Sequence, residues 1–111
     1  MAAEAIPALL EQIDELLAEP PATGEAAMLA RLERTLTDGY AYALEIEGER
    51  WRLEQRLSEL TKGLHEGNRE LKSREIAQLS RRLSSNGKAL KALRATLRRL
   101  RARAAAVRSA V

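Results

Sequence analysis

Apolar residues recur along most of this sequence at alternating spacings of three and four, the pattern of helices that pack lengthwise in a coiled coil. The first run comprises Leu29, Leu32, Leu36, Gly39, Ala43, Ile46, Arg50, Leu53, Leu57, Leu60 and Leu64. The second run comprises Ile76, Leu79, Leu83, Asn86, Leu90, Leu93, Leu97, Leu100, Ala104, Val107 and Val111. The pattern predicts two long helices, over residues 25–64 and 70–109, each roughly 60 Å in length.

A shorter amphipathic helix is predicted before them, over residues 3–18. Pro20 and Pro21 end it, because proline lacks a backbone N–H and disfavours helical geometry in the residue before it. Residues 19–24 form a linker, so this helix can fold back over about a third of the longer pair. Its apolar side carries Ile6, Leu9, Leu10, Ile13, Leu16 and Leu17, and its polar side carries Glu11, Asp14 and Glu15.

A short turn at residues 65–69 joins the two long helices. Gly63 and Gly67 can adopt the left-handed backbone that ends a helix, and Asn68 can cap the helix that follows. A connection this short makes the long helices antiparallel neighbours. We therefore predict a single all-α domain over residues 1–111: a long antiparallel helical hairpin, or coiled coil, with a short N-terminal amphipathic helix.

Residues that weaken a helix occur at a similar distance from the turn in both long helices, the two arms of the hairpin. The second arm contains Ser84, Ser85, Asn86 and Gly87, yet the three-four spacing passes through them without a slip. This favours one continuous helix, either straight or kinked. Gly48 in the first arm marks either a hinge or a close helix crossing, and the close crossing is the favoured interpretation.

The apolar residues of the two runs form the line along which the long helices meet, which we call the seam. The turn also predicts which seam residues face each other. In an antiparallel coiled coil the numbers of facing residues have a constant sum, and the turn allows a sum of 136. Gly39 then faces Leu97, so a small residue meets a large one, as tight packing requires. The same sum places Arg50 and Asn86 in one polar layer, which fixes register at some cost in stability.

Two contacts are expected on one flank of this seam. Glu33 comes opposite Arg101, predicting an ion pair, and Tyr40 comes opposite Arg94, predicting a cation–π contact. Exposed pairs of this kind contribute about 0–1 kcal/mol each, so they orient the arms more than they hold them together.

Charge is divided unequally along the chain. Residues 1–68 contain 14 acidic and 6 basic side chains, whereas residues 69–111 contain 2 acidic and 13 basic ones. One interpretation is that the two arms complement each other. The other is that the basic arm binds nucleic acid, anionic lipid or an acidic partner. The candidate anion-binding residues are Lys88, Lys91, Arg98, Arg99 and Arg103.

Few residues support catalysis or metal binding. There is no Cys, His65 is the single His, and no Glu-x-x-His pair of the kind used by helical di-iron sites occurs. All-helical chorismate mutases grip a dicarboxylate with spaced cations, but Arg50 and Lys62 do not match that spacing and further ligands are missing. We expect no enzymatic activity, no cofactor, no metal and no small-molecule substrate. The acidic residues interpreted as a solvated face are Glu45, Glu47, Glu49 and Glu54.

The sequence favours a cytoplasmic protein. Its apolar runs are far shorter than the roughly 20 residues that span a bilayer. Glu4 is acidic where a signal peptide carries Lys or Arg. The absence of Cys is compatible with a reducing compartment. We therefore expect no membrane span.

A two-helix hairpin buries one stripe of each helix, which leaves other apolar residues in need of partners. Either a second copy, giving a dimer, or a helical client protein can cover them. The predicted protein-binding residues are Leu9, Ile13, Leu17, Tyr40, Tyr42, Leu44 and Trp51.

A leading helix, long leucine-heptad helices and the asparagine-containing leucine-rich segment from Leu79 to Leu97 resemble small bacterial export chaperones of coiled-coil type, the flagellar FlgN family. The resemblance extends over most of the chain and implies docking of a client protein. We expect a non-catalytic coiled-coil adaptor, scaffold or secretion-type chaperone. The alternative is an electrostatic binder of nucleic acid or ribosomes through the basic C-terminal helix.

Overall fold

The computed structural model describes residues 6–18, 26–64 and 66–110. Helix α1 spans Ile6–Ala18, α2 spans Ala26–Lys62 and α3 spans Arg69–Ala110. Helices α2 and α3 pack lengthwise with α1 against them, and the molecule measures 64 × 17 × 17 Å. These described ranges contain no strand. The predicted all-α helical hairpin with a short N-terminal helix is confirmed.

The helix bounds lie close to the predicted ones. Helix α2 ends at Lys62, two residues before its predicted end, whereas α3 extends one residue beyond its prediction on each side. The predicted linker over residues 19–24 and the turn residue His65 lie outside the described residues.

Side-chain contacts close the turn between the long helices. The Asn68 side chain caps α3, because its Oδ1 accepts a hydrogen bond of 3.1 Å from the Leu71 backbone N–H. Gly67 has a φ of 71°, a left-handed conformation that favours glycine. The Lys72 ammonium donates to the backbone carbonyl of Gly63 at 2.5 Å, just beyond the end of α2. The chain therefore reverses direction within a few residues.

The core follows the α2–α3 seam and continues under α1. A fully buried aliphatic side chain contributes roughly 1.5–3 kcal/mol, so this seam supplies much of the stability. Near the turn, Leu53, Leu60 and Leu79 form a separate small cluster. The larger cluster joins all three helices through Ile6, Leu9, Ile13, Leu16, Met28, Leu32, Ala43, Ile46, Leu90, Leu93, Leu97, Leu100, Ala104 and Val107.

Helix α1 covers one flank of the hairpin. Met28 and Thr35, which precede seam residues of α2, are buried there at 5% and 8% exposure. Leu16 of α1 lines the same small crevice as Thr35. On the other flank, at similar height, Glu33 and Tyr40 are exposed. We call these the α1 flank and the open flank.

Ion pairs along both flanks define the register of the hairpin. The numbers of paired residues add to 141 on the open flank and to 131 on the α1 flank, so the seam between them has a sum of 136. Leu97 lies against Gly39 at that sum, as predicted. The pairs are Arg94–Glu47 and Arg108–Glu33 on the open flank, and Arg82–Glu49 (3.3 Å) and Arg56–Glu75 (3.0 Å) on the other.

The predicted partners on the open flank are wrong by one heptad. Glu33 pairs with Arg108 instead of Arg101, and Tyr40 contacts Arg101 instead of Arg94. The seam fixes where each backbone position lies along the hairpin axis. It does not fix which of two residues, one heptad apart on the opposite helix, pairs with a given flank residue, because an arginine side chain is long. The cation–π contact on Tyr40 does occur, with the neighbouring arginine of the same flank.

Both arms are continuous helices. Helix α3 runs through residues 84–87 and α2 runs through Gly48. The favoured interpretation of Gly48 as a close crossing is wrong, because a Cβ there would meet only its own-helix neighbour Arg52, at 3.6 Å. The close approach is at Gly39, where a Cβ would overlap the Leu97 side chain.

Candidate helix-docking surface

The predicted binding residues of α1 are occupied within the chain. Ile13 is fully buried, Leu9 is 6% exposed and Leu17 is half-buried against the same core. Tyr42 of α2 also packs against that core. Because α1 folds back onto the hairpin, none of these side chains offers a free docking surface in this conformation.

Three predicted residues of α2 do lie on the surface. Leu44 is 70% exposed, Trp51 is 62% exposed and Tyr40 is 42% exposed. Leu44 and Trp51 are seven residues apart, which places them on the same side of α2, two turns apart. Large apolar side chains in one row of a helix therefore face solvent.

A groove opens beside this row, on the open flank between α2 and α3. Its volume is about 460 Å³. Seam residues form an apolar floor, and charged side chains of both helices form the rim. We call this groove, together with Leu44 and Trp51, the open face. The groove residues are Tyr40, Ala43, Leu44, Glu47, Arg94, Leu97, Arg98 and Arg101.

The cations of the open face differ in their engagement. The Arg101 guanidinium lies 5.4 Å from the centre of the Tyr40 ring and donates to the Tyr40 hydroxyl. Arg94 donates to the Glu47 carboxylate. Arg98 is exposed and makes no ion pair within the described part of the chain. Its charge is therefore available to a ligand in the groove.

The predicted polar layer separates the two apolar clusters of the hairpin. Arg50 donates to the backbone carbonyl of Leu83 at 2.6 Å and lies beside Gly87, where a Cβ would be 3.0 Å from its Nη1. Asn86 is 5% exposed, and its Nδ2 has no hydrogen-bond partner among the described residues. Arg50 thus crosses to α3 at the level of Asn86 but bonds to the backbone. The register-setting role of this layer stays a prediction.

Four of the five candidate anion-binding residues are exposed on α3. Lys88, Lys91, Arg98 and Arg99 make no ion pair within residues 6–18, 26–64 and 66–110. Arg103 is half-buried and already engaged. Arg98 faces the groove of the open face, and Arg99, its neighbour in sequence, does not line it.

A second, shallower groove of about 960 Å³ lies on the α1 flank, nearer the turn than α1, and extends over α2 as far as Leu44, which lines both grooves. Its rim has both signs of charge, for example Glu49 with Arg82 and Arg56 with Glu75. The hydrogen bond to Glu75 raises the pKa of Arg56. Internal pairing leaves this rim with little net charge.

Comparison of this chain with models of protein families, with curated proteins and with solved structures found no match. Across the described residues, no cluster of His, Cys, Asp and Glu could hold a metal ion. No described helix combines the length and the apolar character needed to cross a membrane.

Sequence reasoning named the apolar residues and the arginines of the open face separately, but it did not bring them together in one groove. Arg94 and Arg101 follow Leu93 and Leu100 directly in sequence, just as Tyr40 follows Gly39. Residues that follow alternate seam positions share a flank in a coiled coil. Sorting the cations by flank therefore points to this groove.

Proposed function

We propose that this chain is a non-catalytic coiled-coil interaction protein, an adaptor, scaffold or secretion-type chaperone, which acts by docking a helix on the open face. The observation that carries this proposal is the exposure of Leu44 and Trp51 in one row beside an apolar-floored groove. Aromatic and large aliphatic side chains next to such a groove are typical anchors of protein interfaces.

The arrangement of these residues matters more than their number. A single exposed leucine is ordinary on a protein surface, and Leu71 near the turn is such a case at 58% exposure. Leu44 differs because it borders a groove and shares its row with Trp51. A helix that covers Leu44 in the groove and continues for two turns along α2 would also reach Trp51. The occupant is either a second copy, giving the expected dimer, or a helical client.

Site-specific photo-cross-linking in the native cell tests this function. A photoreactive phenylalanine analogue replaces Leu44 in one variant and Leu71 in the control. Both sites are exposed leucines, so they differ in the surface they probe and not in chemistry. We expect a discrete adduct from position 44 and none from position 71, and the mass of the adduct distinguishes a second copy from another protein.

Substitution supplies the complementary measurement. Leu44→Ala combined with Trp51→Ala should weaken capture of the cross-linked partner at least about tenfold, as loss of two interface anchors predicts. Leu71→Ala should leave capture unchanged. Equal capture by the parent protein, the double variant and Leu71→Ala, with unchanged circular dichroism, would exclude the open face as the docking surface.

A second candidate function is electrostatic binding of nucleic acid or ribosomes by α3. The observation that favours it is the exposure of Lys88, Lys91, Arg98 and Arg99 without ion pairs in the described residues. Four phosphate contacts predict a loss of about 100-fold in affinity for duplex DNA between about 50 and 200 mM salt. A fluorescence-anisotropy titration measures this affinity at each salt concentration. An affinity that does not change with salt would contradict electrostatic binding.

A further inference from the structure

The rim of the open-face groove has a net positive charge. It contains Arg94, Arg98 and Arg101, against the single carboxylate of Glu47. Glu47 accepts a hydrogen bond from Arg94, whereas Arg101 stacks on Tyr40, whose hydroxyl carries no charge. Within the described ranges, the positive charges of Arg98 and Arg101 therefore remain uncompensated at the edge of an apolar groove.

This charge disfavours a second copy as the occupant. A two-fold dimer brings the same patch of both subunits together, so the positive charges of Arg98 and Arg101 from both copies would be gathered in one interface. Like charges opposed across an interface weaken it and reject the wrong partner. A partner with carboxylates beside its apolar residues meets no such repulsion.

Helix α1 shows what kind of helix the hairpin already holds. Its described residues include the acidic Glu11, Asp14 and Glu15 and no basic side chain. Its apolar side, centred on the fully buried Ile13, packs against the flank opposite the open face. The hairpin thus binds an acidic amphipathic helix along the α1 flank. The groove of the open face, on the other flank, has a basic rim.

We infer that the open face binds an acidic amphipathic helix of another protein, with Arg98 pairing with its carboxylates and Leu44 and Trp51 contacting its apolar side. This inference rests on the proposed docking function. The two-turn spacing of Leu44 and Trp51 matches apolar residues seven apart on a helix that lies along the groove. The positive charge of Arg98 favours a helix with carboxylates at this groove. The apolar contacts with Leu44 and Trp51 supply most of the binding energy.

Binding of a synthetic peptide tests the partner chemistry. The probe is a peptide of about 20 residues, long enough to form helix on binding, with leucines at three-four spacing and glutamates on both sides of them. A matched peptide has glutamine in place of every glutamate. Trp51 is the single Trp of the chain, so a blue shift of its emission reports occupancy of the open face directly.

We expect the glutamate peptide to bind at least about tenfold more tightly than the glutamine peptide at low salt. Arg98→Glu should remove most of this preference. Arg99→Glu is the control, since it makes the same charge change at the next residue, outside the groove, and should alter affinity less than about threefold.

Each other result overturns the inference in a recognisable way. Equal binding of both peptides would show that docking depends on apolar contacts and that the groove does not prefer an acidic helix. The proposed docking function would survive that result. Equal weakening by Arg98→Glu and Arg99→Glu would indicate diffuse attraction to α3. Sedimentation that shows a dimer abolished by Tyr40→Ala, with no peptide binding, would assign the face to a second copy, because Tyr40 lines this groove and not the other one. Failure of both peptides to bind, without such a dimer, would remove the docking function as well.

Discussion

Two glycines in α2 differ in the space around them. At Gly39 the helices approach so closely that a Cβ would overlap the side chain of Leu97, which is 2% exposed. At Gly48 the nearest side-chain atom is 3.6 Å from the position of a Cβ, which is an ordinary contact. Only the first glycine is required by packing.

We therefore predict different outcomes for the same substitution at these sites. Gly48→Ala should raise the free energy of unfolding by about 0.5–1 kcal/mol, because alanine has the higher helix propensity. Gly39→Ala gains the same propensity, but overpacking costs roughly 1–3 kcal/mol, so it should be neutral or destabilising. Urea unfolding followed by circular dichroism compares them, and a Gly39→Ala protein as stable as Gly48→Ala would contradict the packing at this crossing.

At the scale of single residues, the sequence predicts the seam better than its flanks. Seam partners such as Gly39 and Leu97 follow from numbering alone, because buried side chains have only one position that fits. Flank partners such as Glu33 and Arg108 depend on how far a flexible, solvated side chain extends. The hydrogen bond from Arg50 to the Leu83 carbonyl was unpredictable for the same reason, since an arginine can reach a side chain or a backbone oxygen.

At the scale of elements, α1 is the helix whose role the sequence left open. Its amphipathic pattern predicted a helix, but an apolar stripe can be buried against its own chain or against a partner, and the pattern is identical in both cases. The structure shows Ile13 at the centre of an intramolecular contact. An isolated helix of 13 residues is marginal in water, so the α1 contact stabilises the helix itself.

Ile13→Ala should consequently undock and unfold α1 while leaving the hairpin intact. Truncating a fully buried isoleucine costs about 2–5 kcal/mol, which exceeds what the rest of a short helix can offset. Leu17→Ala, at a half-buried position, is the milder control. Amide hydrogen exchange should show α1 losing protection in Ile13→Ala, with α2 and α3 protected as in the parent. Simultaneous loss of protection in all three helices would mean that α1 and the hairpin unfold as one unit.

At the scale of the whole molecule, a single seam produces a rod. The radius of gyration is 19.1 Å, compared with about 13 Å for a compact domain of this length. Such a shape exposes much lateral surface, and α1 covers only part of one flank. The open face and the second groove are both consequences of this geometry.

Small-angle scattering of the pure protein tests shape and assembly together. Because the open face repels its own copy, we expect a monomer at low salt, with a radius of gyration near 19 Å. A side-by-side dimer would double the mass while leaving the longest dimension near 64 Å, whereas an end-to-end dimer would nearly double that dimension. Tyr40 lines the groove of the open face and does not line the other groove, so a side-by-side dimer that persists in Tyr40→Ala would point to the other groove. That groove has balanced charge and can face itself without repulsion, so such a dimer and the docking of an acidic helix would then occupy different flanks of the same rod.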